Sequence, residues 1–428
     1  MKKLAICIPT YNRAKIIEDI CLKIISIPDK DIFDLYIYDS SPNLDTKKKL
    51  QDILQNKNFF YFKILDTIDS NTKVYNIYQD KNIQNTYEYL WILPDYLFVK
   101  EEFFYNIVEK LNEKWDMLML DFYDFQKKEN QQYFDRNEIL VEYAWSLTQY
   151  GSMILNCETV LKKADWPYLS TKYLNDRCRN FSHIALYFEM LLKINDFRFY
   201  YFSVPYQYIY RSIYRKNTSD YFDDYLKIWG YRWYQCIHTL PQYYTKKEAA
   251  IKKASVCTAH LGKNDIIELR LRGILTWKIF YEYRKIWTTI STVSIKTVLL
   301  IIFLPKFIVK HFIEYENIIN NIKKAVLKIP FKIFCRKYNR IYIYGAGIKG
   351  KKLADFMKKQ SIKFDGFIVT ELKNNNRVLK EHKVLEISEV PNSSDMGIVL
   401  ALNDRNKKEV IPLLYENGYK NLFEADVV

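Results

Sequence analysis

Two clusters of polar residues stand at the ends of short apolar runs near the start of the chain. Leu4-Ala5-Ile6-Cys7-Ile8 leads straight into Pro9-Thr10-Tyr11-Asn12-Arg13, and Leu35-Tyr36-Ile37-Tyr38 leads into Asp39-Ser40-Ser41. A carboxylate such as Asp39 at a strand end is placed to accept hydrogen bonds, and Tyr11 offers a flat ring. A third apolar run, Leu90-Trp91-Ile92-Leu93, ends at Pro94-Asp95. Lys73, and Arg211, Arg215 and Lys216 further on, are cations suited to an anionic group. His183 opens a helix-like stretch, and an imidazole accepts a proton near neutral pH. Asp176 precedes it by seven residues.

These groups need a frame. Apolar runs at 3–8, 34–38, 60–65 and 116–121 read as strands, and 14–26, 44–56, 71–88 and 101–113 as helices. Such β/α repetition predicts a mostly parallel sheet. Open sheets of that kind bind ligands at the carboxyl ends of their strands, where the polar clusters fall. Pro9 closes the first strand because it has no N–H for the ladder. Residues 126–150 are polar and read as a loop or hairpin crossing the sheet; a helix near 183–194 and a strand near 197–203 follow.

From 222 onward strand signals fade, and 222–240, 246–260, 264–285 and 307–327 read as helices. The final segment changes again. Arg340–Tyr344 is a strand, Gly345-Ala346-Gly347-Ile348-Lys349-Gly350 a glycine loop, and Lys352–Lys359 a helix, with further strands at Phe364–Val369 and Ile398–Leu402. Strand, GxGxxG and helix in that order predict a small Rossmann-like module, with Glu371 near where an acid would meet a ribose hydroxyl. The expected organisation is an α/β domain at 1–221, a helical basic region at 222–339 and a Rossmann-like α/β domain at 340–428.

The opening motifs resemble those of family-2 glycosyltransferases of the GT-A fold, over roughly residues 1–220. The resemblance implies transfer of a sugar from a nucleotide-sugar donor, UDP-linked and with inversion, to a saccharide or lipid-linked acceptor in surface polysaccharide or glycolipid assembly. It implies that Pro9, Thr10, Tyr11 and Asp39 hold the nucleoside. It places Asp95 where the family carries an Asp-x-Asp cluster for a divalent cation, Mg²⁺ or Mn²⁺. Here Tyr96 and Leu97 replace the following acids, so either Asp95 alone holds a metal or cations such as Lys73 and Arg211 take its place. His183 falls where the family's catalytic acid stands, with Asp176 as the rival.

Two other readings compete. The terminal module could run an NAD(P)-dependent sugar-nucleotide reaction, but no Tyr-x-x-x-Lys pair stands beside its glycine loop and its few predicted strands speak against that cofactor. It also reads as a docking or homo-oligomerisation domain that keeps only the fold. The thinned acidic cluster at Asp95 also fits a catalytically inactive sugar-binding protein.

Composition sets outer limits. A chain of 428 residues exceeds one typical core. Its net charge of +15 favours anionic partners, whether nucleotide phosphates or lipid headgroups. Zinc-finger spacing and RNA-binding signatures are missing, so nucleic acid is not expected. The 7 cysteines are scattered without a CxxC pair, as in a reduced cytosolic chain without disulfides or zinc. No run reaches the ~18 apolar residues of a membrane span. Basic residues interleaved with apolar ones over 296–338 suit either a peripheral position on an anionic membrane or a helix packed on its own domain.

Overall fold

The computed structural model describes residues 2–29, 31–65, 68–122, 129–214, 224–258, 260–310, 330–372, 377–391 and 393–424. The chain divides into two compact units, Met1–Lys306 and Phe307–Val428. The helices that follow residue 222 therefore belong, as far as Lys306, to the first unit.

The first unit is built on β1 (Lys2–Thr10), β2 (Phe33–Asp39), β3 (Phe59–Lys63), β4 (Tyr87–Ile92), β5 (Leu97–Val99), β6 (Met117–Asp121), β7 (Gln131–Tyr133), β8 (Met153–Asn156), β9 (Phe199–Ser203) and β10 (Ile209–Arg211). Eight of these strands form one sheet in the order β3-β2-β1-β4-β8-β6-β9-β7, and β5 and β10 pair in a small second sheet. β1 runs parallel to both β2 and β4. The antiparallel β8 joins β4 to β6. The mixed α/β class expected from the sequence is the class observed.

Sequence and burial agree closely at β1. Leu4 through Ile8 are all buried, the mark of a parallel strand covered on both faces. The helix Ala14–Ile25 buries Ile17, Ile20, Cys21 and Ile24, one face at helical spacing, against that sheet.

Some boundaries differ from expectation for identifiable reasons. The segment 71–88 is not one helix. Asp80 caps a new short helix at Lys81–Thr86 by accepting from the N–H groups of Asn82 and Ile83, and the chain then enters β4. Within 126–150, expected as a loop or hairpin, Asp135 accepts from the Asn137 N–H and starts a helix, Arg136–Tyr143, after the short strand β7. Gly273, at φ +82°, breaks 264–285 into separate helices. Most of 307–327 lies outside the described residues.

The second unit carries β11 (Arg340–Tyr344), β12 (Gly366–Val369), β13 (Val378–Leu379), β14 (His382–Glu386), β15 (Met396–Leu400) and β16 (Leu422–Glu424). They form one sheet in the order β13-β14-β12-β11-β15-β16, parallel except for the β13–β14 hairpin. Hydrophobic cores cover both its faces. It has more strands than its sequence announced, because β13, β14 and β16 are short and partly polar.

Candidate functional site

The strand order reverses at β1, which sends the chain to β2 on one side and pairs with β4 on the other. A crevice opens at such a point beyond the carboxyl ends of the strands. Three loops meet there. The Thr10 hydroxyl donates to Asp95 Oδ2 at 2.9 Å, and the Arg13 guanidinium donates to Asp95 Oδ1 at 2.8 Å. Lys73, on the helix Ser70–Tyr78, donates to the Thr10 carbonyl at 3.1 Å and to the Ser40 hydroxyl at 2.6 Å. Asn12 takes a left-handed conformation, φ 53°, and its N–H donates to Ser41 Oγ at 2.8 Å. Tyr11, after Pro9 and Thr10, is left 50% exposed.

Asp39 lies at the junction but is wholly buried. One carboxylate oxygen accepts from the Ser41 hydroxyl and, at 2.8 Å, the Ser41 N–H; the other accepts from the Tyr61 hydroxyl at 2.6 Å. Burial alone would raise this carboxyl, but the bonds from Ser41 and Tyr61, with Lys63 nearby, hold it below the usual value. Asp39 thus shapes the Ser40-Ser41 loop from behind and does not present an open carboxylate. Lys73 is also buried, which lowers its ammonium pKa against the pull of Asp39 and Asp95.

Asp95 is nearly as buried, and its loop leans on Gly151. A Cβ there would sit 2.9 Å from Pro94 Cδ, and the φ of +96° is one that only glycine adopts without strain. The Gly151 carbonyl in turn accepts from the Trp91 indole at 2.7 Å. Both Asp95 oxygens are engaged, one by a guanidinium. Among the described residues no group of three His, Cys, Asp or Glu could hold a metal. Asp95 therefore offers a divalent cation one carboxylate already shared with Thr10 and Arg13, and a cation here would take the rest of its shell from phosphate and water oxygens.

Arg211 ends β10, opposite Leu97 of β5, and so stands beside the Asp95 loop; the next residue, Ser212, donates its N–H to the Tyr96 carbonyl at 2.9 Å. The guanidinium lies 5.8 Å from the centre of the Tyr206 ring. Arg215 and Lys216 lie outside the described residues.

The two base candidates separate. A cavity of about 260 Å³ is lined by Asp69, Asn71 and Thr72 from one side and by Asp176, Arg179 and Ser182 from the other. Asp176 is open to it and accepts from the Arg232 guanidinium at 2.7 Å, which lowers its carboxyl pKa. His183 does not line it. The imidazole is buried, with Nε2 3.1 Å from the Leu147 carbonyl and its ring 4.3 Å from that of Tyr150. Burial lowers its pKa to about 4, so it stays neutral. The physical reason is the helix Ser182–Leu192, whose apolar composition sinks its first turns into the core. The helix Ser70–Tyr78 links the cavity to the crevice, since Asn71 and Thr72 line the one and Lys73 reaches into the other.

In the second unit Gly345, at φ +108°, turns the chain out of β11, Gly347 caps the helix Ile348–Lys359, and Gly350 packs against the turn. A Cβ on Gly350 would fall 1.9 Å from the Gly345 carbonyl oxygen, so no other residue fits. Glu371 is exposed just past β12. The glycine loop lies beside the β11–β15 strand-order reversal of its own sheet.

Against known proteins the chain matches no family model and no curated sequence. It is similar to solved structures. For Staphylococcus aureus TarS 1–349 the TM-score is 0.43 at 13% identity, over 70% of this chain and 81% of that one. For the same protein in complex with UDP-GlcNAc the values are 0.40 and 13%, over 63% and 76%. For the mannosyltransferase PcManGT of Pyrobaculum calidifontis, in complex with GDP-Man and Mn²⁺, they are 0.38 and 13%, over 71% and 87%.

Sequence reasoning had given no role to Arg13, Ser40, Tyr61 or Gly151. Arg13 was visible as the last residue of the first polar cluster. The others act through partners 20 to 60 positions away, such as Asp39 and Pro94.

Proposed function

We propose that the first unit transfers a sugar from a UDP-linked donor to a saccharide or lipid-linked acceptor, with inversion, in surface polysaccharide or glycolipid assembly. The observation that carries this reading is the junction of Thr10, Arg13, Lys73 and Asp95 at the reversal point of the sheet. In this reading Tyr11 packs on the base, and the Ser40-Ser41 loop, braced by Asp39, frames the ribose. Arg13 and Arg211 neutralise the diphosphate as it leaves, and the buried Lys73 adds positive potential from below. Cations of the chain thus do what a metal would do elsewhere.

The acceptor hydroxyl gives its proton to the Asp176 carboxylate while its oxygen bonds the anomeric carbon. The bond from that carbon to the diphosphate oxygen breaks on the opposite face. Asp176 is favoured over His183 because it is open to the cavity and His183 is sealed. The second unit contributes no catalytic group here, and NAD(P) has no part in this chemistry.

A thermal-shift screen of the full chain over nucleotides and nucleotide sugars, with and without Mg²⁺ or Mn²⁺, tests the reading. Ligands that bind only the folded state raise its melting temperature. A shift with UDP and UDP-sugars that does not need metal is expected; no shift with any nucleotide would overturn it. A catalytically silent sugar-binding protein is the second reading, favoured by the engagement of both Asp95 oxygens. Donor binding without transfer or hydrolysis would select it.

A further inference from the structure

The first unit carries an apolar surface that the proposed chemistry does not use. Trp277, Tyr281, Leu300 and Phe303 are 51%, 56%, 57% and 69% exposed. They form one patch. The Trp277 ring lies 5.5 Å from that of Phe303 and 6.5 Å from that of Tyr281, and Leu300 shares a helix face with Phe303. The patch is firmly built. Phe280 and Trp287 stack beneath it at 6.2 Å, and Arg270 holds the end of the helix Ile295–Phe303 by donating to the carbonyls of Ile301 and Leu304.

Its rim is cationic. Lys278, Arg284, Lys296 and Lys306, each within four positions of a patch residue, are exposed, against one exposed acid, Glu282, beside Tyr281. The Arg284 guanidinium lies 4.4 Å from the centre of the Tyr281 ring, so ring and charge share one edge. Trp, Tyr, Phe and Leu ringed by Lys and Arg match the boundary between acyl chains and anionic headgroups, where amphipathic rings and basic side chains are each at home. Among the described residues no helix is long and apolar enough to cross a membrane.

We infer that this patch docks the protein on an anionic lipid surface, the two aromatic side chains Trp277 and Phe303 entering the headgroup layer and the basic rim binding phosphates. This deepens the lipid-linked branch of the proposed acceptor class, yet it stands on the surface alone and does not need the transferase reading to hold.

The test is co-sedimentation of the full chain with vesicles of phosphatidylcholine alone and of phosphatidylcholine mixed with phosphatidylglycerol. Binding to the mixed vesicles only, weakened by salt, is expected. Trp277→Ser with Phe303→Ser, and separately Lys278→Glu with Lys296→Glu, should each reduce it about tenfold or more. All four side chains are exposed, so both variants should keep the wild-type circular-dichroism melt and response to UDP. No binding to anionic vesicles, or binding that neither variant weakens, would overturn the inference. So would light scattering that shows a wild-type dimer made monomeric by the serine pair, since the patch would then be an interface between copies.

Discussion

Arg13 donates to Asp95 across 2.8 Å, joining the turn after β1 to the loop after β4. The carboxylate is nearly buried while the guanidinium is about half exposed. The pair therefore has one face in the fold and one towards solvent; in the proposed function this cation meets the leaving diphosphate.

Arg13→Gln should lower sugar transfer about 10²-fold, the scale of losing one transition-state charge partner. Transfer by the wild-type chain should be unchanged by a chelator. Steady-state kinetics with and without EDTA check both, and loss of wild-type activity in EDTA would show that transfer needs a metal.

Asp39→Ala should weaken UDP binding by about 1–3 kcal/mol through collapse of the Ser40-Ser41 loop, since both carboxylate oxygens are hydrogen-bonded. Calorimetry on the folded variant measures it. Tyr61→Phe, which removes one of those bonds, should show a smaller loss in the same direction.

Asp176→Asn should cut turnover about 10²- to 10⁴-fold with UDP affinity nearly unchanged. His183→Gln should keep transfer near the wild-type rate, because His183 does not line the cavity. The reverse pattern in a transfer assay would return the base to His183.

Gly151→Ala should destabilise the first unit by about 1–3 kcal/mol, because it forces a side chain onto Pro94 and a φ of +96°. The loss should appear in urea denaturation and be accompanied by weaker nucleotide binding, since the Asp95 loop rests on this residue.

His183 also gives the stability a pH dependence. Burial holds its folded pKa near about 4, below the unfolded 6.5. The unfolded chain therefore binds the proton first, and stability is lost as pH falls from 6.5 towards 4. At pH 5 the cost from this one group is about 2 kcal/mol. Urea midpoints at pH 7 and pH 5 should differ by less in His183→Gln than in the wild-type chain.

Local signals determined much of this protein. The apolar runs of β1 and β2, Pro9, and the period of the helix Ala14–Ile25 are written in consecutive residues, and so is the strand–glycine–helix turn at Gly345, Gly347 and Gly350. They sufficed for the α/β class and for the strand, glycine loop and helix that open the second unit's sheet. What tertiary structure decided is which groups face out. Asp39 reads as an open carboxylate until Tyr61, 22 residues on, closes over it. His183 reads as an accessible base until its helix is seen packed with Tyr150. Arg13 has no assigned role in the sequence, and only β4, which brings Asp95 from 82 positions away, gives it a partner. Burial and charge pairing depend on partners distant in sequence, and only the packed sheet makes them neighbours.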